Sequence, residues 1–429
     1  MSVETAIQIY VDRTYSQSIP DRLKIEIARQ IGDVEVEKNK IAFCGFVLHK
    51  NEIFVFMPRG HAIRESQYTA EETARLLFLC LTKYCRTSES FLQREGKSTV
   101  VGNPQVLPLI SEILSDYKLN GLYTSENYLM RKGFQGKTDW KKTIKSVHPL
   151  LDDDQIVYPH FISKFKDNLF SNEITEIHKW ILSSIVERFG WLIGPSAKLD
   201  FVKPNLLTNT NYSSKLIKVE LQKVFADSKI HTLQMLLRFL EDDLSQGQSD
   251  YLSFGFKDFQ HVWEQMLKQV LNPIHTFTDM PTPTYEDFEG RTFPKAQKGQ
   301  RVDIFLYDAN KKTACVIDAK YYDASSTANA PGWPDLVKQF FYAKSLTAGA
   351  LNKQVVHVKN CFIFPGTENN ASLKKAFVTD TTGRLDHVFP PIECLMLNPE
   401  VVIDSYVNNK PLSDFRKKLL QTNHPQILN

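Results

Sequence analysis

The chain has 429 residues, of which 42% are hydrophobic, and its formal net charge of +3 is too small to indicate a nucleic-acid-binding protein by itself. This length allows two or three hydrophobic cores, and the absence of any apolar run near ~20 residues excludes a membrane span. The start Met1-Ser2-Val3-Glu4 lacks the basic residues and apolar stretch of a signal peptide. The six cysteines show no paired spacing of the kind found in metal sites. We therefore expect a reduced, cytoplasmic protein.

Residues 1–130 predict an N-terminal α+β domain that binds a partner or DNA. Alternating apolar residues predict strands near 42–48 and 52–57, joined by a turn at 49–52. A long amphipathic helix is predicted from Ala70 to Gln93, with Thr69 as its N-cap three residues before Glu72.

Residues 131–250 predict a mainly helical middle region. Its clearest periodic stretches run over 174–189 and 213–244, and a linker is predicted at 246–249. The tripeptide Gly136-Lys137-Thr138 is not a phosphate-binding loop, because Arg131 stands where that motif requires a glycine. Any NTPase activity must therefore reside on another chain.

Residues 251–429 predict the catalytic domain. Its apolar spacing indicates a helix from Phe256 to Leu267, with Glu264 at the edge of the buried stripe. Strands at 301–307 and 313–320 are joined by a short polar link and predict a hairpin. A helix at 334–346 and a buried strand at 355–364 follow.

The hairpin carries the candidate catalytic residues. Asp318 and Lys320 are two residues apart and share a strand face, and Asp303 can lie across the hairpin from them. Carboxylates beside an ammonium supply oxygen ligands for Mg²⁺ and a cation near a phosphate. The alternative without a catalytic role is an exposed ion pair at a strand end, which would stabilise the folded protein by only ~0–1 kcal/mol. Other acid-X-lysine triplets, such as Glu95/Lys97, lack this strand context.

A basic segment precedes the first acid. Between residues 291 and 301 the sequence carries four basic residues and no acid, which predicts contact with DNA phosphates: Arg291, Lys295, Lys298 and Arg301. The segment 131–145 is also basic, and for both segments the alternative is a solvated basic surface.

The order helix, acidic hairpin, helix, strand resembles the PD-(D/E)XK nuclease superfamily. The resemblance implies an α/β (α+β) fold whose C-terminal core is a mixed β-sheet flanked by helices. It implies that Asp303, Asp318 and the Ala319 carbonyl bind the metal, that Glu264 is an additional acid, and that Lys320 is catalytic. Arg301-Val302 precedes Asp303 where the family name implies proline. Gln339 and Tyr342 are similar to supporting residues of RecB-like members, at a spacing of three rather than four.

Several blocks resemble the LlaJI family of restriction endonucleases. They are Gly136 to Ile144, Asn172 to His178, Phe259 to Glu264, and Asp318-Ala319-Lys320-Tyr321-Tyr322, with weaker N-terminal matches at 43–47 and 54–58. This resemblance implies cleavage of double-stranded DNA in antiviral defence, with Mg²⁺ as cofactor and Mn²⁺ as a substitute. It also implies kinship to McrC, which acts with an McrB-type AAA+ NTPase.

Two alternatives stay open at this point. The chain could be a scaffold or DNA-binding subunit with a nuclease fold, active only in a complex with an AAA+ NTPase. It could also cut RNA instead of DNA. Because double-strand cleavage requires two active sites, a homodimer on DNA is a further expectation.

Overall fold

The computed structural model describes residues 6–31, 40–49, 52–87, 100–102, 105–125, 127–133, 137–152, 155–167, 173–192, 199, 204, 209–241, 251–273, 280–294, 302–324, 326–348, 355–367 and 373–421. The chain forms two compact units. The first comprises residues 1–108 and 249–429, and the second comprises residues 109–248. Across the described ranges, none of the helices combines the length and apolar character needed to span a membrane.

The first unit contains a five-stranded N-terminal sheet. Its strands in spatial order are β1 (Ala6–Val11), β5 (Glu52–Met57), β4 (Cys44–His49), β12 (Tyr251–Phe256) and β6 (Val100–Val101). β1 and β5 are parallel, and the other pairs are antiparallel. A short pair, β2 (Thr14–Tyr15) and β3 (Lys40–Ile41), lies apart from this sheet. The predicted strands at 42–48 and 52–57 are confirmed as β4 and β5.

Two glycines allow an aromatic ring to lie close to the backbone of this sheet. Gly45 and Gly255 are direct partners across β4 and β12. A Cβ at Gly45 would lie 2.3 Å from the Phe254 carbonyl oxygen and 2.9 Å from the Phe43 ring. The fully buried Phe43 side chain therefore packs where any larger residue would collide with it.

Helices α1 (Asp21–Ile31) and α2 (Ala70–Thr87) belong to the same unit. The Thr69 cap is confirmed: Glu72 N–H donates to Thr69 Oγ1 at 3.3 Å, and Thr69 N–H donates to Glu72 Oε2 at 2.9 Å. This reciprocal pair is a capping box. The predicted continuation of α2 to Gln93 lies outside the described residues.

The C-terminal sheet of the first unit is mixed, as predicted. Its strands in spatial order are β15 (Ile304–Asp308), β16 (Thr313–Ala319), β17 (His357–Pro365), β21 (Ile392–Leu397) and β18 (Lys375–Ala376). β15 and β16 form the predicted antiparallel hairpin, whereas β16, β17 and β21 are mutually parallel. Two small hairpins accompany it: β13 (Thr284–Glu286) with β14 (Thr292–Pro294), and β19 (Thr379–Asp380) with β20 (Gly383–Arg384).

Helices flank this sheet. They are α8 (Gln260–Leu271), α9 (Trp333–Ala348), α10 (Pro399–Val407) and α11 (Ser413–Leu419). α9 packs on β16 and β17, and α8 packs on β16. α10 contacts both α8 and α2, so the N-terminal and C-terminal sheets share one helical layer. Trp263 on α8 is fully buried, and its indole N–H points to the Ile363 carbonyl oxygen at 3.5 Å.

The second unit is less helical than predicted. Its helices are α3 (Val106–Asn120, beginning at the unit boundary), α4 (Trp140–Ser146), α5 (Glu173–Phe189), α6 (Thr210–Leu221) and α7 (Asp227–Glu241). Its strands are β7 (Asn127–Lys132), β8 (Lys137–Thr138), β9 (Leu150–Asp152), β10 (Gln155–Val157) and β11 (Ile162–Asp167). The stretch 174–189 is confirmed as helical. The described part of 213–244, which ends at residue 241, is two helices separated at 222–226, and residues 242–244 lie outside the described residues.

Residues 251–256 are assigned differently from the prediction. The sequence places the catalytic core from Tyr251 and a helix from Phe256, but Tyr251–Phe256 is the strand β12 of the N-terminal sheet. The helix begins only at Gln260. The alternating apolar residues of β12 pair with β4, about 200 residues earlier in the chain. Most of the predicted domains 1–130 and 251–429 consequently lie in one compact unit.

Candidate active site

Two aspartates meet at one end of the β15–β16 hairpin. The register pairs Ile304 with Ile317, so Asp303, one residue farther along, faces Asp318. Asp303 Oδ2 also accepts a hydrogen bond from the Ala319 N–H at 3.2 Å. Asp318 is 2% exposed, so the end of β16 that carries it is buried rather than solvated.

Lys320 lies against the second aspartate. Its Nζ is 2.9 Å from Asp318 Oδ2 and 2.6 Å from Asp335 Oδ1, and the residue is 6% exposed. Burial lowers the pKa of Lys320, but the hydrogen bonds and negative charges of Asp335 and Asp318 outweigh burial and raise it above its ordinary value. Lys320 is therefore a fixed cation, not a proton acceptor at neutral pH.

The surroundings of Asp303 disfavour the charged form of its carboxyl group. Burial, the hydrogen-bonded neighbour Asp318 and the charge of Glu264 together raise the pKa of Asp303 to about 8, and Lys338 opposes them. Asp318 Oδ2 is buried and lies 2.9 Å from Lys320 Nζ, which is the cation that it contacts. An acceptor oxygen of this kind fits a cation ligand.

Glu264 lies near the pair but points elsewhere. Its side chain forms a hydrogen-bonded ion pair with Lys268, one turn along α8. Its effect on the pKa of Asp303 places its charge close to the acids. Within the described ranges, no group of three or more His, Cys, Asp or Glu side chains has a metal-binding arrangement. Two aspartates are therefore the carboxylates that could hold a cation here, and two carboxylates are enough for Mg²⁺, which keeps several water ligands.

The predicted DNA-binding segment is only partly described. Arg291 lies in the turn between β13 and β14, where its guanidinium contacts Asp287 Oδ2 at 2.8 Å and Glu289 Oε2 at 2.9 Å. Its charge is therefore already shared with two carboxylates. The other three predicted phosphate contacts lie outside the described residues: Lys295, Lys298 and Arg301.

Gln339 and Tyr342 on α9 are both buried but contact different parts of the C-terminal sheet. Gln339 is fully buried, and its Nε2 donates to the Cys361 carbonyl oxygen at 2.9 Å, which fixes α9 to β17. Tyr342 is buried with Phe305, Ala314 and Val316 on the face of the sheet that carries the acids. Gln339 therefore supports the fold, while Tyr342 lines the site.

Sequence reasoning missed Asp335 and Lys338 as parts of the site. Asp335 lies in the first turn of α9 and contacts the Lys320 ammonium through its Oδ1 at 2.6 Å. The ammonium of Lys338 lies 5.6 Å from the centre of the Tyr342 ring, and its charge acts on both aspartates. The available signal was their spacing, since residues 335, 338 and 342 share one face of a helix.

Comparisons with known proteins give a consistent picture. The family model described as LlaJI restriction endonuclease matches residues 43–390. A curated relative, the Type II restriction enzyme BsuMI component YdjA of Bacillus subtilis strain 168, is 27% identical over 299 residues. That alignment covers 65% of this chain and 61% of the relative, so the chain matches less than two thirds of the relative's length.

Solved structures of McrC complexes are also similar. A Thermococcus gammatolerans half-complex of McrB AAA+ hexamers with bound McrC matches with 13% identity and a TM-score of 0.41, covering 94% of this chain and all of that chain. The McrBC complex of the same organism matches with 12% identity and a TM-score of 0.31, covering 62% and 87%. Likeness at these scores carries no argument about function.

Proposed function

The chain belongs to the LlaJI restriction endonuclease family, and from that membership we propose that it is a Mg²⁺-dependent nuclease that hydrolyses phosphodiester bonds in double-stranded DNA. The observation that carries this proposal is the pairing of Asp303 and Asp318 across one hairpin, with Lys320 bound to the second acid. This core is proposed to be of the PD-(D/E)XK type.

Asp303 and Asp318 are the proposed metal ligands, with the Ala319 carbonyl as a third and Glu264 as an additional acid. The raised pKa of Asp303 supports this set, because a divalent cation would stabilise the charged form of that buried carboxylate. When bound, Mg²⁺ supplies Lewis-acid stabilisation of phosphate charge and a water of lowered pKa. Mn²⁺ is expected to substitute for it.

Lys320, Asp335 and Gln339 are proposed to position the charged groups of the site. Asp335 fixes the Lys320 ammonium beside Asp318, where this cation is proposed to orient the carboxylate and polarise the attacking water. Gln339 fixes α9 against β17, so Asp335 stays aligned with the end of β16. The roles of Lys295, Lys298 and Arg301 in phosphate contact remain proposals from sequence, as does that of Arg291.

The experiment compares the purified wild-type chain with Asp318→Ala on supercoiled plasmid in Mg²⁺ or Mn²⁺. We expect cleavage by the wild type and none by the variant, whose far-ultraviolet circular dichroism stays unchanged. Asp414→Ala is the matched control, since Asp414 is an exposed acid on α11. Retained cutting by purified Asp318→Ala would remove this aspartate from the chemistry.

The second candidate is a nuclease subunit that is silent without a partner. The curated relative is described as a component of its enzyme, which supports a requirement for further subunits. We propose an AAA+ NTPase as this partner, as the family resemblance implies, and a second copy of the chain for double-strand cleavage. Repeating the plasmid assay with nucleotide and the product of the adjacent gene separates the candidates, and an RNA substrate tests the alternative of RNA cleavage.

A further inference from the structure

A second lysine faces the acids from α9. Lys338 is half-buried, and the negative charges of Asp318 and Asp303 raise its pKa, outweighing the lowering effect of burial. Asp335, Lys338 and Tyr342 follow each other at spacings of three and four residues, which places them on one side of the helix. Asp335 contacts Lys320 at the end of β16, and Tyr342 packs against β15 and β16. Lys338 therefore lies between these two anchors, over the aspartates.

Tyr342 helps to hold this lysine. The ammonium of Lys338 lies 5.6 Å from the centre of the Tyr342 ring, within the range of a cation–π contact. Burial raises the pKa of the Tyr342 hydroxyl, and the charge of Lys338 and its hydrogen bond with Tyr342 partly oppose this effect. The lysine is therefore oriented by a buried aromatic side chain rather than free in solvent.

The two lysines differ in what already binds them. Lys320 is 6% exposed and has carboxylate oxygens at 2.6 and 2.9 Å from its Nζ. In the part of the chain that the structure describes, Lys338 forms no ion pair within 4.0 Å. Its side chain is also more exposed than that of Lys320. A phosphate that approaches the acids could thus reach Lys338 without first breaking a short ion pair.

We propose that Lys338 binds the scissile phosphate of the nucleic-acid substrate through a non-bridging oxygen, while Lys320, fixed by Asp335, organises the carboxylates. The proposal deepens the proposed nuclease function and rests on it. A Lys338 ammonium is suited to this role because it is a compact cation on a flexible side chain. It offsets phosphate charge where two carboxylates would otherwise repel the substrate.

The test uses the full-length chain with Lys338→Gln and Lys338→Arg, and Lys344→Gln as the matched control. Lys344 is an exposed lysine on the same helix. Two quantities are measured: plasmid cleavage in Mg²⁺, with the partner protein if one is required, and affinity for a short DNA duplex in Ca²⁺ at several salt concentrations. Thermal unfolding of each variant reports on folding.

We expect Lys338→Gln to reduce the cleavage rate by about 100-fold, the scale of losing one transition-state donor. We also expect it to reduce the salt slope of DNA binding by about 1, as for one lost phosphate contact. Lys338→Arg should recover most of both effects, and Lys344→Gln should behave as wild type.

Three results would overturn the proposal. The first is a Lys338→Gln variant that cuts within threefold of wild type and keeps the salt slope. The second is a loss of activity that Lys338→Arg does not rescue. The third is a matching loss of thermal stability. If the wild type never cuts, the nuclease function fails, but the salt slope still decides whether Lys338 binds phosphate.

Discussion

The Asp303–Asp318 pair is a local arrangement of charge that costs folding free energy, because it disfavours the charged form of Asp303. Two carboxylates meet beside a buried strand, and the pKa of Asp303 rises to about 8 because burial and the neighbouring acids disfavour its charged form. Such pairs occur at functional sites more often than elsewhere, because structure alone gives no reason to retain them. The cost to stability is therefore itself a testable property.

Asp303→Asn should stabilise the metal-free protein at pH 8. The substitution removes a carboxyl group whose charged form the fold disfavours, while the amide oxygen can still accept the Ala319 N–H. We expect the free energy of unfolding to rise by about 1–3 kcal/mol. Urea denaturation in EDTA measures it, with Asp414→Asn as the exposed control. A destabilised variant would show that the aspartate is held favourably without metal.

The acids and Lys320 could be predicted from sequence because a two-residue period and a short hairpin fix their relative positions. Asp335 and Lys338 could not be placed in this way. Their approach depends on how α9 packs over β16 and β17, and helix periodicity does not specify which neighbour a polar face meets. The geometry within the hairpin could thus be predicted from sequence, whereas the contacts of Asp335 and Lys338 with it depend on tertiary packing.

Among the helices, the start of α2 was predicted correctly because the sequence carries its N-terminal capping residues. The capping box of Thr69 and Glu72 marks the first turn of α2, because it satisfies backbone N–H groups that the helix leaves unpaired. The strand β12 was not assigned to the N-terminal sheet, since its partner β4 lies far away in sequence. In the second unit, strands such as β8 are too short to have a clear period.

Thr69→Ala should destabilise the first unit by about 1 kcal/mol. The variant loses the acceptor for Glu72 N–H, whereas Thr69→Ser keeps it and serves as the control. The free energy of unfolding from urea denaturation provides the measurement. Equal stability of the Ala and Ser variants would mean that the cap contributes nothing.

His178 on α5 predicts acid sensitivity of the second unit. Burial lowers its pKa to about 4, partly opposed by Asp116, and its Nδ1 accepts the Tyr123 N–H at 3.0 Å. Below pH 6.5 the unfolded chain takes up a proton that the folded chain refuses until about pH 4, so stability falls across this window as the pH decreases.

The test compares wild type with His178→Asn, whose amide oxygen can replace Nδ1 as acceptor. Between pH 7 and pH 5 the wild type should lose about 2 kcal/mol more unfolding free energy than the variant. Circular dichroism during urea denaturation at each pH gives these values. Parallel pH profiles for the two proteins would show that His178 does not titrate as expected.

At the scale of the whole molecule, the second unit is an insertion in the sequence of the first. The first unit is built from residues before 109 and after 248, and β6 pairs directly with β12 across this gap, Val101 with Gly255. Strand pairing therefore joins the two parts of the first unit without the intervening residues. Composition showed that the chain could hold several cores but not that one is discontinuous.

Replacing residues 109–248 by a short Gly/Ser linker should leave the first unit folded. The N-terminal and C-terminal sheets keep their strands and their shared helical layer of α2, α8 and α10. We expect a soluble protein with cooperative thermal unfolding. A non-cooperative or aggregated product would show that the first unit requires the inserted one.

The catalytic role of the Asp303–Asp318 pair is tested most directly by Mg²⁺-dependent plasmid cleavage. The assay compares wild type, Asp303→Asn and Asp318→Ala, with and without nucleotide and the product of the adjacent gene. We predict that the wild type cuts under at least one of these conditions and that each variant is inactive under all of them. Cleavage by either variant at the wild-type rate would contradict the assignment of this acid pair as the catalytic centre.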